Sequence, residues 1–411
     1  MESERSGIGT PLWQPTRREI KLSTDQFRAT LQQLTDQSLR RSLSALDSAT
    51  GPIVNYAGRP VILLSSNDYL GLATHPRVIQ AAIEATARYG TGSGASRLVS
   101  GTLPPHTSLE SALAKFKGTD ASLVFGAGYL ANVGVIPNLI GRGDLIIADR
   151  LCHASLIDGC RLSQADFRVF QHGDCGHLEV LLRRRASHRR TLIITEGLFS
   201  MDGDVAPLTD LVGLAERYEA MLYVDDAHGT GIMGANGRGT IEQFRLEGRI
   251  PFHMGTLSKA LGSYGAYVVG SNDFVQYLLN LARSFIFTTA LPPAMAAAAS
   301  AAITIVEREP ERRAQLWANR QYLFDGLQNH GFRLTPTVSP ILPVLIGDAA
   351  RASAFAERLL AHGVYASAIR PPTVPDGTSR IRFTVTAAHT TGQLDEALQA
   401  VTRAGREVGL L

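Results

Sequence analysis

Met221-Leu222-Tyr223-Val224-Asp225-Asp226-Ala227-His228-Gly229 is the stretch from which the rest of the chain can be read. Four consecutive apolar or aromatic residues suit a strand covered on both faces, the pattern of a parallel sheet between helices. A strand that ends on acid puts a carboxylate at the carboxyl edge of such a sheet, where open α/β folds bind their ligands. Outward from it, residues 121–125, 145–148, 167–170, 191–195, 252–255 and 266–269 are further short apolar runs. Segments 105–117, 129–140, 177–184 and 208–219 alternate with them at helical spacing. The predicted fold is α/β: a mostly parallel sheet with helices on both faces, and a smaller α+β domain at the C-terminus.

The predicted boundaries follow from breaks in this alternation. Residues 1–64 form an N-terminal segment, with a helix over 24–47 that aligns Phe27, Leu31, Leu34, Leu39, Leu43 and Leu46, then an extended piece at 60–64. Residues 65–291 form the large domain. Leu291-Pro292-Pro293 opens the small domain, 292–411, with a long helical region, strands near 341–346, 366–369 and 381–385, and helices near 350–363 and 391–405.

With 411 residues, 45% of them hydrophobic and 19% charged, the chain has an ordinary globular composition. A formal charge of +3, with no aromatic residues interleaving the arginines of 183–190, gives no reason to expect a nucleic-acid partner. The longest apolar stretch, 294–306, is too short to span a bilayer, and the N-terminus has no signal-peptide core, so a cytoplasmic protein is expected. Cys152, Cys160 and Cys175 lack zinc-ligand spacing with the nearby histidines, so no metal is expected.

Lys259, in Gly255-Thr256-Leu257-Ser258-Lys259-Ala260-Leu261-Gly262, follows the strand after Asp225. Small and hydroxylated neighbours leave its amine free to desolvate and to react with an aldehyde. Asp225 can pair with a protonated ring nitrogen and keep the ring an electron sink, which pyridoxal 5'-phosphate requires. His228, three residues on, can reach the ring hydroxyl. Gly126-Ala127-Gly128-Tyr129 opens a helix whose first N–H groups suit a phosphate, with Thr256 and Ser258 adding hydroxyls. His153, after strand 145–148, can stack on a flat ring. Arg370, stiffened by Pro371 and Pro372, suits a substrate carboxylate. Gly229-Thr230-Gly231-Ile232-Met233-Gly234 matches a dinucleotide fingerprint, but the turn-rich 235–239 leaves no helix to seat a pyrophosphate. A hydrolase using Asp225, Asp226 and His228 on a metal is the rival from another class, and a fold that binds the cofactor without catalysis is a third reading.

Taken together, residues 66–72 (SNDYLGL), 92–97 (GSGASR), 195–203 (TEGLFSMDG), 225–229 (DDAHG) and 256–259 (TLSK) resemble the α-oxoamine synthase family of fold-type I pyridoxal-phosphate enzymes. The resemblance spans about residues 30–405. It implies that Lys259 carries the cofactor, Asp225 pairs with its ring nitrogen, His228 meets its ring hydroxyl and His153 stacks on it. It gives Gly128, Tyr129, Ser200 and Thr256 to the cofactor, and Asn67, His153, Arg370 and Thr373 to the substrate. An N-terminal substrate arginine is Arg40 or Arg41, with Arg40 favoured. The family is homodimeric, which implies that Thr288 serves the phosphate of the neighbouring subunit. The loop 369–378 (IRPPTVPDGT) is similar to the biotin-synthesis branch, implying L-alanine and a pimeloyl thioester, on coenzyme A or a carrier protein, as small-molecule substrates. A glycine-using synthase such as a glycine C-acetyltransferase is the alternative within the family.

Overall fold

The structure is a computed structural model and describes residues 24–185 and 188–411. The chain divides into two units, Met1–Leu43 and Ser44–Leu411.

In the first unit the described helix is Thr24–Asp36, shorter than the expected 24–47. Ser38 takes a left-handed φ of 57°, and the amides of Leu39 and Arg40 both turn back to the Leu34 carbonyl, which closes the helix. No residue of the helix is buried, so leucine spacing alone could not prolong it. Of the leucines beyond it, Leu43 is fully exposed, whereas Leu46 packs on Val54, Val61 and Leu63 in the second unit.

The second unit carries strands β1 (Ile53–Tyr56), β2 (Arg59–Leu63), β3 (Ala121–Phe125), β4 (Leu145–Asp149), β5 (Asp166–Phe170), β6 (Thr191–Glu196), β7 (Met221–Asp225), β8 (His253–Thr256) and β9 (Ala266–Gly270). They are followed by β10 (Ile341–Gly347), β11 (Val364–Tyr365), β12 (Ala368–Ile369) and β13 (Ser379–Thr384). The central sheet has seven strands in the order β3-β9-β8-β7-β6-β4-β5. β9 runs antiparallel to β3 and β8, and the other pairings are parallel.

Helices cover both faces of this sheet. On one face, Ile146, Ala148, Leu192, Ile194 and Tyr223 pack with Ala131, Val135 and Ile136 of helix Gly128–Leu139. On the other, Leu145, Ile147, Ile193, Leu222 and Val224 pack with Leu178 and Leu182 of Cys175–Arg183 and with Leu211 and Leu214 of Leu208–Arg217. Period-two alternation sends successive side chains to opposite faces, and both are apolar because both are covered.

The C-terminal region departs from expectation in two places. The long helical region is two helices, Pro293–Arg308 and Pro310–Asn329, because Pro310 cannot continue the first. The single strand expected near 366–369 is two short strands in different sheets. β11 extends the β1-β2 hairpin in parallel register, and β12 pairs antiparallel with β13, which also pairs with β10. For the site, what matters is that β8, β7, β6 and β4 are consecutive and parallel, so their carboxyl ends share one edge.

Candidate active site

Four strand ends converge at that edge. β7 delivers Asp225, β6 delivers Glu196, β4 leads into His153, and β8 leads through Thr256 to Lys259. Lys259, Asp225, His228, His153, Thr256, Gly128 and Tyr129 line one cavity of about 170 Å3, together with Asn132, Ser155, Glu196 and Ser258.

Asp225 is 6% exposed, and its carboxylate is held at both oxygens. Oδ1 accepts from the Ala227 amide at 3.0 Å and Oδ2 from Asn132 Nδ2 at 2.8 Å. Asn132 is fully used: its oxygen accepts from Tyr223 at 3.0 Å, and its amide also donates to Ser155 Oγ at 2.9 Å. The Ser155 amide donates to His153 Nδ1 at 3.2 Å, and its hydroxyl lies 2.8 Å from the same nitrogen. His153 Nδ1 is therefore an acceptor, and the ring proton sits on Nε2. Burial holds the imidazole below its ordinary pKa, which keeps it neutral.

A second network fixes His228. The Tyr69 hydroxyl lies 2.8 Å from His228 Nδ1, and Arg382 donates to the Tyr69 oxygen at 3.3 Å and to Asn67 Oδ1 at 3.1 Å. The Tyr69 O–H has two acceptors in reach, Asn67 Oδ1 at 3.4 Å and His228 Nδ1 at 2.8 Å; given to the nearer one, it leaves the His228 proton on Nε2. Burial and the charges of Lys259 and Arg382 push its pKa well down. Burial likewise depresses Lys259, opposed by the charges of Asp225 and Glu196.

The helix Gly128–Leu139 starts at the cavity. Its cap residue, Ala127, offers no side-chain acceptor, so the N–H groups of the first turn are left for an anion. The Thr256 and Ser258 hydroxyls, 2.8 Å apart, stand on the same cavity. Asp226, the neighbour of Asp225, has a different task. Its carboxylate accepts from Thr240 Oγ1 at 2.7 Å and from Lys117 at 3.3 Å, and it is fully buried. That engagement leaves it unsuited to the metal-hydrolase reading. The glycine-rich segment after it closes on the same carboxylate and is followed by a helix of one turn, Thr240–Gln243, not by a pyrophosphate seat.

A larger cleft of about 720 Å3 shares His153 and Glu196 with the cavity, and Ser200 and Thr373 line it. Arg370 directly precedes this wall and donates to Ser353 Oγ at 3.1 Å. Asn67 lines neither space but is bound to Arg382. Thr288 is half-buried beside the Ser96–Thr289 bridge and lines neither space in its own chain. Arg40 and Arg41 belong to the first unit. Asn132, Glu196, Tyr69 and Arg382 are site residues that reading the sequence missed. Glu196 had a signal, an acid closing an apolar strand like Asp225. Asn132 sits inside a helix with nothing local to mark it.

A family model for class I and II aminotransferases matches residues 59–401. The 8-amino-7-oxononanoate synthase of Geobacter sulfurreducens is 52% identical over 391 residues, covering 94% of this chain and 100% of the relative. That of Bacillus subtilis, 8-amino-7-oxononanoate synthase 1, is 45% identical, covering 94% and 98%. Among solved structures, a serine palmitoyltransferase variant of S. paucimobilis with bound PLP superposes at a TM-score of 0.90 and 36% identity, covering 94% of this chain and 98% of the other. An 8-amino-7-oxononanoate synthase from Francisella tularensis gives a TM-score of 0.73 at 29% identity, covering 84% and 98%. With the lysine, the carboxylate and the two neutral histidines around one cavity of a fold-type I sheet, these likenesses place the chain in the 8-amino-7-oxononanoate synthase family of the class I and II aminotransferase fold.

Proposed function

We propose that the chain condenses L-alanine with a pimeloyl thioester, releasing carbon dioxide, the free thiol carrier and 8-amino-7-oxononanoate for biotin synthesis, with pyridoxal 5'-phosphate as cofactor. The observation that carries the reading is that Lys259, just after β8, and Asp225, at the end of the neighbouring β7, line one cavity of about 170 Å3.

The residues present fit that cofactor. The first turn of helix Gly128–Leu139, with Thr256 and Ser258, seats its phosphate. Lys259 would hold its aldehyde, Asp225 its ring nitrogen and His228 its ring oxygen, with His153 the residue that would stack on the ring. When bound, the protonated pyridine supplies an electron sink for the carbanion formed at the amino acid's Cα.

The protein's own groups do the rest. Lys259, free as an amine once the amino group of alanine takes its place and with its pKa lowered by burial, would take the Cα proton of alanine and return one after carbon dioxide leaves. Asp225, held by Asn132 and Ala227, keeps the ring nitrogen protonated. The acyl thioester enters by the larger cleft, which meets the cavity at His153 and Glu196. Thr373 in this cleft, Arg370 beside it and Asn67, held by Arg382, serve the substrate, and Ser200, which lines the cleft, serves the cofactor. For the N-terminal substrate contact the family resemblance implies Arg40 or Arg41, with Arg40 favoured. The enzyme works as a cytoplasmic homodimer in which Thr288 serves the neighbouring subunit's phosphate seat. Residues 65–291 form the large cofactor-binding domain and 292–411 the small one. Among the described residues no helix is long and apolar enough to cross a membrane.

The test is thiol release by purified protein given L-alanine or glycine with pimeloyl, acetyl or palmitoyl thioesters, with the amino ketone identified by mass. Alanine with pimeloyl thioester should be the fastest pair, and Lys259→Ala should abolish turnover while leaving pyridoxal phosphate bound without its lysine-linked absorbance. A preference for glycine and acetyl thioester, or undiminished turnover in the variant, would overturn the reading.

A further inference from the structure

Glu196 is the buried titratable group that the scheme above leaves without a task. It closes β6, is 4% exposed, and lines both the cofactor cavity and the acyl cleft. Its Oε1 accepts from the His153 amide at 2.7 Å. Oε2 has no hydrogen-bond partner among the described residues. The carboxyl is thus anchored by one oxygen where the cavity and the larger cleft meet, the route proposed above for the acyl group.

The groups around it are Asp225 on β7, Asp149 on β4, Cys152 and His153 after β4, and Lys259 after β8. Burial, followed by the charge of Asp225, pushes the Glu196 pKa well up, against the pull of Lys259 and the His153 amide. Asp149 is itself paired with His172, so burial and the charge of Asp225, set against a Lys259 amine that burial depresses, are what favour the neutral acid. A neutral carboxyl whose Oε1 already accepts has one donor left, the hydroxyl at Oε2.

We propose that Glu196 acts as a neutral hydrogen-bond donor to the acyl carbonyl oxygen of the thioester. Carbon–carbon bond formation at that carbonyl places negative charge on its oxygen, and expulsion of the thiol then removes it. A donor fixed in a water-poor junction stabilises the charged stage more than the ground state, the logic of an oxyanion hole. The donor keeps its proton throughout. An ionised Glu196 would repel the same oxygen, so the role exists only while the acid is protonated.

This inference rests on the proposed reaction, and the experiment separates the two. Wild type, Glu196→Ala and Glu196→Gln are loaded with pyridoxal phosphate, and the loaded fraction is read from visible absorbance. kcat/KM for pimeloyl thioester at saturating L-alanine is then measured across pH. Glu196→Ala should lose 10²–10³-fold, roughly the effect of deleting one oxyanion donor. Glu196→Gln should recover most of that loss, because the amide still accepts from His153 and offers N–H from the other end. The fall in rate at alkaline pH due to Glu196 ionisation should be present in wild type and displaced upward or absent in Glu196→Gln. A glutamine variant as impaired as alanine means that the carboxylate is what matters, and the inference is wrong. An alanine variant as fast as wild type, or an alkaline fall identical in wild type and Glu196→Gln, overturns it equally. Should Glu196→Ala fail to fold, the Glu196→Gln profile alone decides. If wild type itself releases no thiol with any pair, the proposed reaction fails and this inference with it.

Discussion

Replacing His172 by glutamine removes a cation that two carboxylates share, and the structure sets the size and pH window of the loss. Nδ1 lies 2.9 Å from Asp149 Oδ1 and Nε2 lies 2.8 Å from Asp204 Oδ2, so both ring nitrogens donate and the ring is an imidazolium. Burial opposes that charge, but the hydrogen bonds and charges of the two acids outweigh it and lift the pKa from 6.5 to about 10. A pKa raised on folding stabilises in full below the unfolded value, near pH 6.5, and the contribution fades as pH climbs through 10. Taken at face value the shift is worth on the order of 4–5 kcal/mol. His172 and Asp204 are 27% and 30% open to solvent, which screens the pair and brings the realistic figure to about 3 kcal/mol. At roughly 2.1 cal/mol/K of unfolding entropy per residue over 411 residues, the melting midpoint should fall by about 3–4 °C. Thermal denaturation of wild type and His172→Gln at pH 6 and pH 10 checks this. The gap should be largest at pH 6 and mostly closed at pH 10, since other titrations cancel in the difference. A gap of equal size at both pH values, or none at pH 6, would refute the assignment of a shared imidazolium.

Asn132→Leu keeps the branched shape of a residue that is 1% exposed but strips a hydrogen bond from Asp225 and orphans the Tyr223 hydroxyl. We expect a cost of about 2–4 kcal/mol and a fall of tenfold or more in pyridoxal-phosphate affinity by absorbance titration; unchanged affinity would mean that Asp225 needs no such support. Gly239→Ala places a Cβ 1.7 Å from Asp226 Oδ2 at a φ of +112°, so soluble expression should collapse, and a variant melting like wild type would contradict the packing around Asp226.

How legible the fold was depends on how far each element relies on its own residues. The central strands were readable because each is a short apolar run, and the sheet edge could be located from the acid that ends β7. Leucine periodicity over 24–47 does not carry the helix past Asp36. A left-handed Ser38 ends the helix at Asp36, and none of its residues is buried among the described residues. Residues 364–369 failed for the opposite reason: two strands of two residues each owe their existence to partners far away in sequence, Ile62 and Leu63 for β11 and Arg380 and Ile381 for β12. A run of that length carries no period to read.

The same distinction runs through the site. Lys259, Asp225, His228 and His153 could be singled out because chemistry at a strand end leaves a local mark: an acid, an amine or an imidazole directly after an apolar run. The groups that set their protonation carry no such mark. Asn132, which orients Asp225 and touches His153 through Ser155, comes from the middle of a helix. Tyr69 and Arg382, which fix the His228 tautomer, lie 159 and 154 positions away from it in opposite directions. A hydrogen bond across such a span costs loop closure that only the finished sheet makes good, so no window of sequence can contain it. The reacting groups are therefore a property of strand ends, whereas their proton positions are a property of the fold. The neutral imidazoles and the carboxylate that the chemistry requires follow from Asn132, Ser155, Tyr69 and Arg382 no less than from the residues that carry the name of catalysis, which is why Asn132→Leu should weaken cofactor binding without touching the cofactor.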